Sequence, residues 1–122
     1  MKATWGDQMK FRYTDNLYTD IAEEKAFQKK LKTLARKKPD PRLFLITYPI
    51  SGNNLMEIYS EMEILQPYYR KQKKYLNIMG IASSRDAAKK LIPDILNDMM
   101  SECGSIDVRT FVKAHMPKAE EL

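Results

Sequence analysis

The segment Leu43-Phe44-Leu45-Ile46-Thr47-Tyr48 constrains the fold more than any other part of the chain. It is short, almost wholly apolar, rich in branched and aromatic side chains, and closed by Pro41 and Pro49. Such a run reads as a strand. Because it lacks alternation, it is expected to be buried on both faces, which calls for helices on the two sides of its sheet.

Two other stretches share that character. Phe11-Arg12-Tyr13, extending back toward Met9, is a short strand, and Tyr75–Ala82, centred on Leu76-Asn77-Ile78-Met79, is a longer one. Gly80 inside it predicts a bulge or a close backbone approach. The segments between carry helical spacing. From about Thr19 to Lys38 the stripe is Ile21, Phe27, Leu31 and Leu34, with Thr19 or Asp20 as cap, Lys37 and Lys38 at the negative end of the dipole, and Pro39 and Pro41 as the stop. A second helix carries Leu55, Ile58, Tyr59, Met62, Leu65 and Tyr69, and Pro67 should kink or end it. A third starts at Ser83-Ser84-Arg85-Asp86, where Ser83 and Asp86 have capping-box spacing. It continues through Ala88, Leu91, Ile92, Ile95, Met99 and Cys103, bends at Pro93 and stops at Gly104. Residues 106–112 fit a fourth strand or a short terminal helix beginning at Asp107, and about 113–122 read as a loose tail.

This order predicts a small three-layer α/β fold in βαβαβαβ order, with about four mostly parallel strands and three helices in a single domain over 1–122. No Asn-Gly-type hairpin signal stands between two apolar runs. With 43% apolar residues, 122 positions suffice for one core without metals or disulfides. The single cysteine, Cys103, forms no intramolecular disulfide, and no stretch reaches the roughly 18 apolar residues a membrane span needs. With no signal-like N-terminus either, a cytoplasmic protein without a membrane partner is expected.

The words Gly80-Ile81-Ala82, Arg85-Asp86-Ala87-Ala88 and Gly104-Ser105-Ile106-Asp107-Val108-Arg109 resemble a group of short bacterial conserved hypothetical proteins. The resemblance reaches back through Leu65-Gln66-Pro67-Tyr68-Tyr69 to Leu43 and covers about the last two thirds of the chain. It implies membership of that group and no particular activity, cofactor or catalytic residue.

If all strands run one way, the turns after them share an edge, where open sheets bind ligands. The candidate ligand-binding residues there are Asn16, Ser51, Gly52, Asn53, Ser83, Ser84 and Arg85. Helix N-termini with free amides and one cation suit phosphate or carboxylate, although the same residue types cap any such turn. No Gly-x-Gly-x-x-Gly or Walker-type sequence is present, so no nucleotide cofactor is implied. The only histidine, His115, lies in the expected tail, which leaves nucleophilic catalysis without a base, and Cys103 has core spacing. One histidine and one cysteine cannot build a zinc site. The rows Glu57, Glu61, Glu63 and Asp94, Asp98, Glu102 read as solvated helix faces.

Cations gather in two clusters within a net charge of +5. Lys25, Lys29, Lys30, Lys32, Arg36, Lys37, Lys38 and Arg42 form the first, over 25–42, and Arg70, Lys71, Lys73 and Lys74 the second, over 70–74. Together with Tyr68, Tyr69 and Tyr75 they could hold a nucleic acid. Met56, Ile64 and Tyr68 widen the apolar face of the second helix, so either the sheet with a neighbouring helix or another copy of the chain covers it, and a homodimer is a secondary expectation. The leading expectation is a non-catalytic cytoplasmic module that binds a partner or a small anionic ligand. A nucleic-acid-associated protein is the alternative, and a small anion-dependent enzyme the third.

Overall fold

The computed structural model describes residues 10–50, 55–66 and 75–116. In chain order the elements are β1 (Lys10–Thr19), α1 (Glu24–Ala35), β2 (Phe44–Thr47), β3 (Glu57–Ser60), α2 (Glu61–Ile64), β4 (Tyr75–Ala82), α3 (Arg85–Cys103) and α4 (Val108–His115). The strands make one sheet in the order β1-β4-β2-β3. Interior strand β4 is buried from Leu76 to Ala82, as its near-continuous apolar sequence demands.

Two cores lie on opposite faces of this sheet. On one, Leu34 of α1 and Ile64 of α2 pack with Leu45, Leu76, Ile78 and Ile81. On the other, Ile95 and Met99 of α3 and Phe111 and Val112 of α4 pack with Ile46, Met79 and Ala82. The three-layer α/β arrangement is therefore present.

The expected strand directions are not. β1 and β4 are parallel, but β2 runs antiparallel to both β4 and β3, so the sheet is mixed. The reason lies in residues 57–60. Ile58 and Tyr59 share helical spacing with Leu55 and Met62, but Glu57-Ile58-Tyr59-Ser60 turns back along β2 as an edge strand, Phe44 opposite Ser60 and Thr47 opposite Glu57. A short apolar run does not distinguish helix from strand by period alone. The connection from β2 to β3 contains Ser51-Gly52-Asn53-Asn54, which lie outside the described residues; it is a longer hairpin loop than the two-residue type.

Helix starts and stops also differ in part. α1 begins at Glu24 because Thr19 and Asp20 are used elsewhere: the Thr19 hydroxyl accepts from the Ile21 N–H at 3.0 Å, and Asp20 reaches Ser83. Its end precedes the prolines. Lys37 adopts a left-handed φ of 54°, and the N–H groups of Lys37 and Lys38 return to the carbonyls of Leu34 and Thr33, closing the last turn. α2 is a single turn with a Ser60–Glu63 capping box. Four helices stand among the described residues where three were expected, because residues 108–115 are helical, capped by the Asp107 carboxylate on the Thr110 N–H. Of the two forms open to residues 106–112, the helix is the one found. Residues 113–115, expected in a loose tail, complete α4, and Met116 is 5% exposed although Lys113 and Ala114 are exposed; 117–122 lie outside the described residues. α3 continues through Pro93 and ends at Gly104 in the left-handed region, as expected. Met56 and Ile64 pack into this chain's own cores, which is the first of the two alternatives for the wide apolar face, and Tyr68 lies outside the described residues.

Gly80 fulfils its expected role. Ile46 pairs with Gly80 but Thr47 pairs with Ile78, so Met79 is an extra residue on β4. A Cβ on Gly80 would lie 2.9 Å from the Tyr18 carbonyl oxygen and 3.2 Å from Ile46 Cδ1. Elsewhere in a strand, glycine to alanine gains from reduced chain entropy. Here the contact with β1 backbone reverses the sign. Gly80→Ala should lower stability by about 1–3 kcal/mol, seen as a lower urea midpoint at unchanged slope; an equal or higher midpoint would mean that β1 does not approach so closely.

Candidate functional site

β1 carries the largest irregularity in the sheet. Tyr13 pairs with Ile78 and Tyr18 with Gly80, so Thr14, Asp15, Asn16 and Leu17 lie opposite Met79 alone. The extra length throws side chains to both faces. Thr14 and Leu17, with Tyr13, line a cleft of about 470 Å³ closed on its other side by Phe27, Leu31, Lys32 and Ala35 of α1. Phe27 and Leu31 are only half-buried because they form this wall, while Leu34, one turn on, is sealed in the core.

The lining is apolar apart from a few groups. Thr14 is 4% exposed, and its Oγ1 has no hydrogen-bond partner, a state that costs about 1–3 kcal/mol. The Tyr13 hydroxyl is pushed up to about 12 by burial and then by the Glu61 charge, so it is a neutral phenol at any physiological pH. Lys32 is exposed and supplies the one cation of the lining.

Glu61 departs most from the sequence reading. Expected on a solvated face, it is fully buried. Its Oε1 accepts the Asp40 N–H at 2.8 Å, and its Oε2 has no partner. Burial pushes its pKa up to about 7, the Asp40 charge adding to the rise while the Asp40 N–H and Lys30 oppose it. Burial also disfavours the Asp40 anion, but the Lys30 ammonium at 2.6 Å and the Arg42 N–H at 2.9 Å hold that carboxyl below its ordinary range.

The four sequence-predicted site residues that are described, Asn16, Ser83, Ser84 and Arg85, do not assemble into one rim. Ser83 and Asn16 occupy different places: Ser83 donates both its N–H and its hydroxyl to Asp20, whereas Asn16 sits half-buried in the β1 bulge, its Oδ1 without a partner. Ser84 caps α3 by accepting from the Ala87 N–H at 3.0 Å. Arg85 lies over the Phe44 ring, donates to the Ile58 carbonyl at 3.4 Å and faces Glu63 at 4.0 Å, so its charge is already engaged. Ser51, Gly52 and Asn53 lie outside the described residues. β2 ends at Thr47, level with Ile78, and the Tyr48 N–H reaches the Asn77 carbonyl, toward the start of β4 rather than its end. The antiparallel direction of β2 therefore removes the physical basis for a shared edge.

The cleft residues Phe27 and Leu31 are legible in the sequence only as core stripe, and Thr14-Asp15-Asn16 only as a polar turn after a strand at 11–13. One signal was available: Phe11, Tyr13 and Leu17 share a parity that extends the strand past the assumed turn. Among the described residues no group of histidine, cysteine and carboxylates is placed to hold a metal, and no helix is long and apolar enough to cross a membrane. No protein-family model, curated protein or solved structure matches this chain.

A pH prediction follows from Glu61. Its folded pKa lies above the unfolded value, so the folded state binds the extra proton and stability falls as pH rises from about 4.5 to about 7. Glu61→Gln should flatten that part of the profile in urea unfolding at stepped pH. An unchanged profile would mean that Glu61 is not buried as an acid.

Proposed function

We propose that this chain is a non-catalytic small-ligand-binding module whose site is the cleft between β1 and α1. The observation that carries the reading is the unpartnered Thr14 hydroxyl in an otherwise largely apolar lining. Small-molecule sites combine such a lining with a few polar groups that fix orientation, and a volume of about 470 Å³ suits a small organic molecule. The ligand expected has an apolar body, a group that exchanges a hydrogen bond with Thr14 after a side-chain rotation, and an acidic end for the Lys32 ammonium. Medium-chain and aromatic carboxylates meet that description. This keeps the anionic ligand inferred from the sequence and moves it from the strand-to-helix turns to the cleft. The unpaired thiol of Cys103 is in keeping with a reducing compartment, and the cytoplasm is the proposed location.

A second reading has one observation in its favour. Lys25, Lys29, Lys32 and Arg36 are all exposed and recur at helical spacing along one stripe of α1, a form suited to a phosphate backbone. Retention of a short oligonucleotide that weakens steeply with salt, and is lost in a Lys25→Glu/Lys29→Glu variant, would favour it over the first.

Octanoate serves as the probe for the cleft. Titration should shift the amide resonances of Thr14, Leu17 and Leu31 together. Leu31→Trp should fill the space and abolish those shifts. Thr14→Val should raise stability by about 1 kcal/mol while weakening octanoate binding, because it removes a group that the fold alone leaves unsatisfied. Octanoate binding unaltered by Leu31→Trp would overturn the assignment.

A further inference from the structure

We infer that protonation of His115 sets the shape of the cleft on the opposite face of the sheet, acting through the β1 bulge; the inference rests on the cleft being the ligand site. The bulge carries side chains to both cores. Thr14 and Leu17 face α1, whereas Asp15, between them, reaches α4 on the other face, with Asp15 Oδ1 2.6 Å from His115 Nδ1. His115 Nε2 lies 2.7 Å from Glu102 Oε1 on α3, so the ring joins β1, α3 and α4.

Each ring nitrogen faces a carboxylate oxygen. Ionised carboxylates only accept hydrogen bonds, so two of them at the two ring nitrogens require both nitrogens to donate, which is the imidazolium. Of the charged groups on the packed elements, Asp15 of β1 and Glu102 of α3 favour the cation. Asp94 and Asp98 of α3 act on the Tyr18 hydroxyl, which donates to Asp98, the cations Arg109 and Lys113 of α4 itself work against a third positive charge, and the Phe111 ring lies 4.9 Å from the imidazole. Burial of the ring works against the charge, but the two carboxylates outweigh it and raise the pKa above 6.5.

Loss of the proton turns one donor into a lone pair facing a carboxylate. Asp15 is the carboxylate that gives way, since its side chain is 66% exposed against 45% for Glu102. No register pair joins the bulge to β4 between Tyr13 and Tyr18, so the tie to His115 is a main restraint on residues 14–17. Releasing Asp15 allows Thr14 and Leu17 to shift. The sign follows from the raised pKa: the tie is intact below the unfolded value and is lost as pH rises through the folded one.

The test uses the whole chain and separates the two ideas. In an NMR titration, the Leu17 methyl and Thr14 amide resonances should move with the same midpoint as the His115 ring, and both should cease to do so in His115→Gln. Octanoate affinity should fall about fivefold across that midpoint in the wild-type protein and stay level in His115→Gln. A wild-type His115 titration that leaves Leu17 and Thr14 unmoved would overturn the coupling. So would a pH dependence undiminished in His115→Gln, which would assign it to Glu61 behind Tyr13. Absence of octanoate binding at every pH, with Leu17 still tracking His115, would sink the ligand reading alone and leave the coupling standing.

Discussion

The close approach of β1 to β4 at Gly80 is the constraint on which the rest of the architecture depends. With hydrogen in place of a side chain, the Tyr18 backbone and Ile46 meet at Gly80, beside Met79, the extra residue of β4. β1 regains its pairing there after looping out over residues 14–17. There β1 rejoins β4 beyond the bulge, followed by Thr19 opposite Ile81 and by Asp20 on Ser83, and this fixes the far end of the bulge that walls both the cleft and the His115 cluster.

The mixed sheet decides where chemistry can sit. Two parallel strands, β1 and β4, bring their ends together, and Asp20 closes that junction by accepting both donors of Ser83. β2 approaches from the opposite direction, so the loop after it leaves toward the start of β4. Arg85, expected as the one cation of the shared edge, is drawn instead toward the β3 edge, the Phe44 ring and Glu63. Among the described residues, buried side-chain oxygens without partners occur elsewhere, at Thr14 Oγ1, Asn16 Oδ1 and Glu61 Oε2, and the first two of these belong to the bulge.

Several elements were legible because local signals and burial agree. The continuous apolar runs at residues 44–47 and 75–82 are strands, Gly80 marks a bulge, and Gly104 stops α3 in the left-handed region. What failed shares one cause, a short segment whose period is compatible with two structures. Ile58 and Tyr59 fit a helix until tertiary pairing with β2 makes them an edge strand. Residues 106–112 admit a strand or a helix by sequence, and the helix is the form in which Phe111 and Val112 dock beneath the sheet. The site was less legible still. Its residues come from the middle of a strand and the flank of a helix, and Thr14 and Asp15 resemble an ordinary turn. Likewise, spacing alone placed Glu61 in water and His115 in a tail, whereas one is buried and the other held between two carboxylates.

The account stands or falls on the β1 bulge presenting neighbouring residues to opposite faces of the sheet. Nuclear Overhauser contacts in a uniformly labelled sample measure this directly. Leu17 methyl protons should contact the Phe27 ring and the Leu31 methyls, while Asp15 β-protons in the same molecule contact the His115 ring. Contacts from Leu17 to Met99 or Phe111 would place it on the wrong face and contradict both the cleft and its connection to His115.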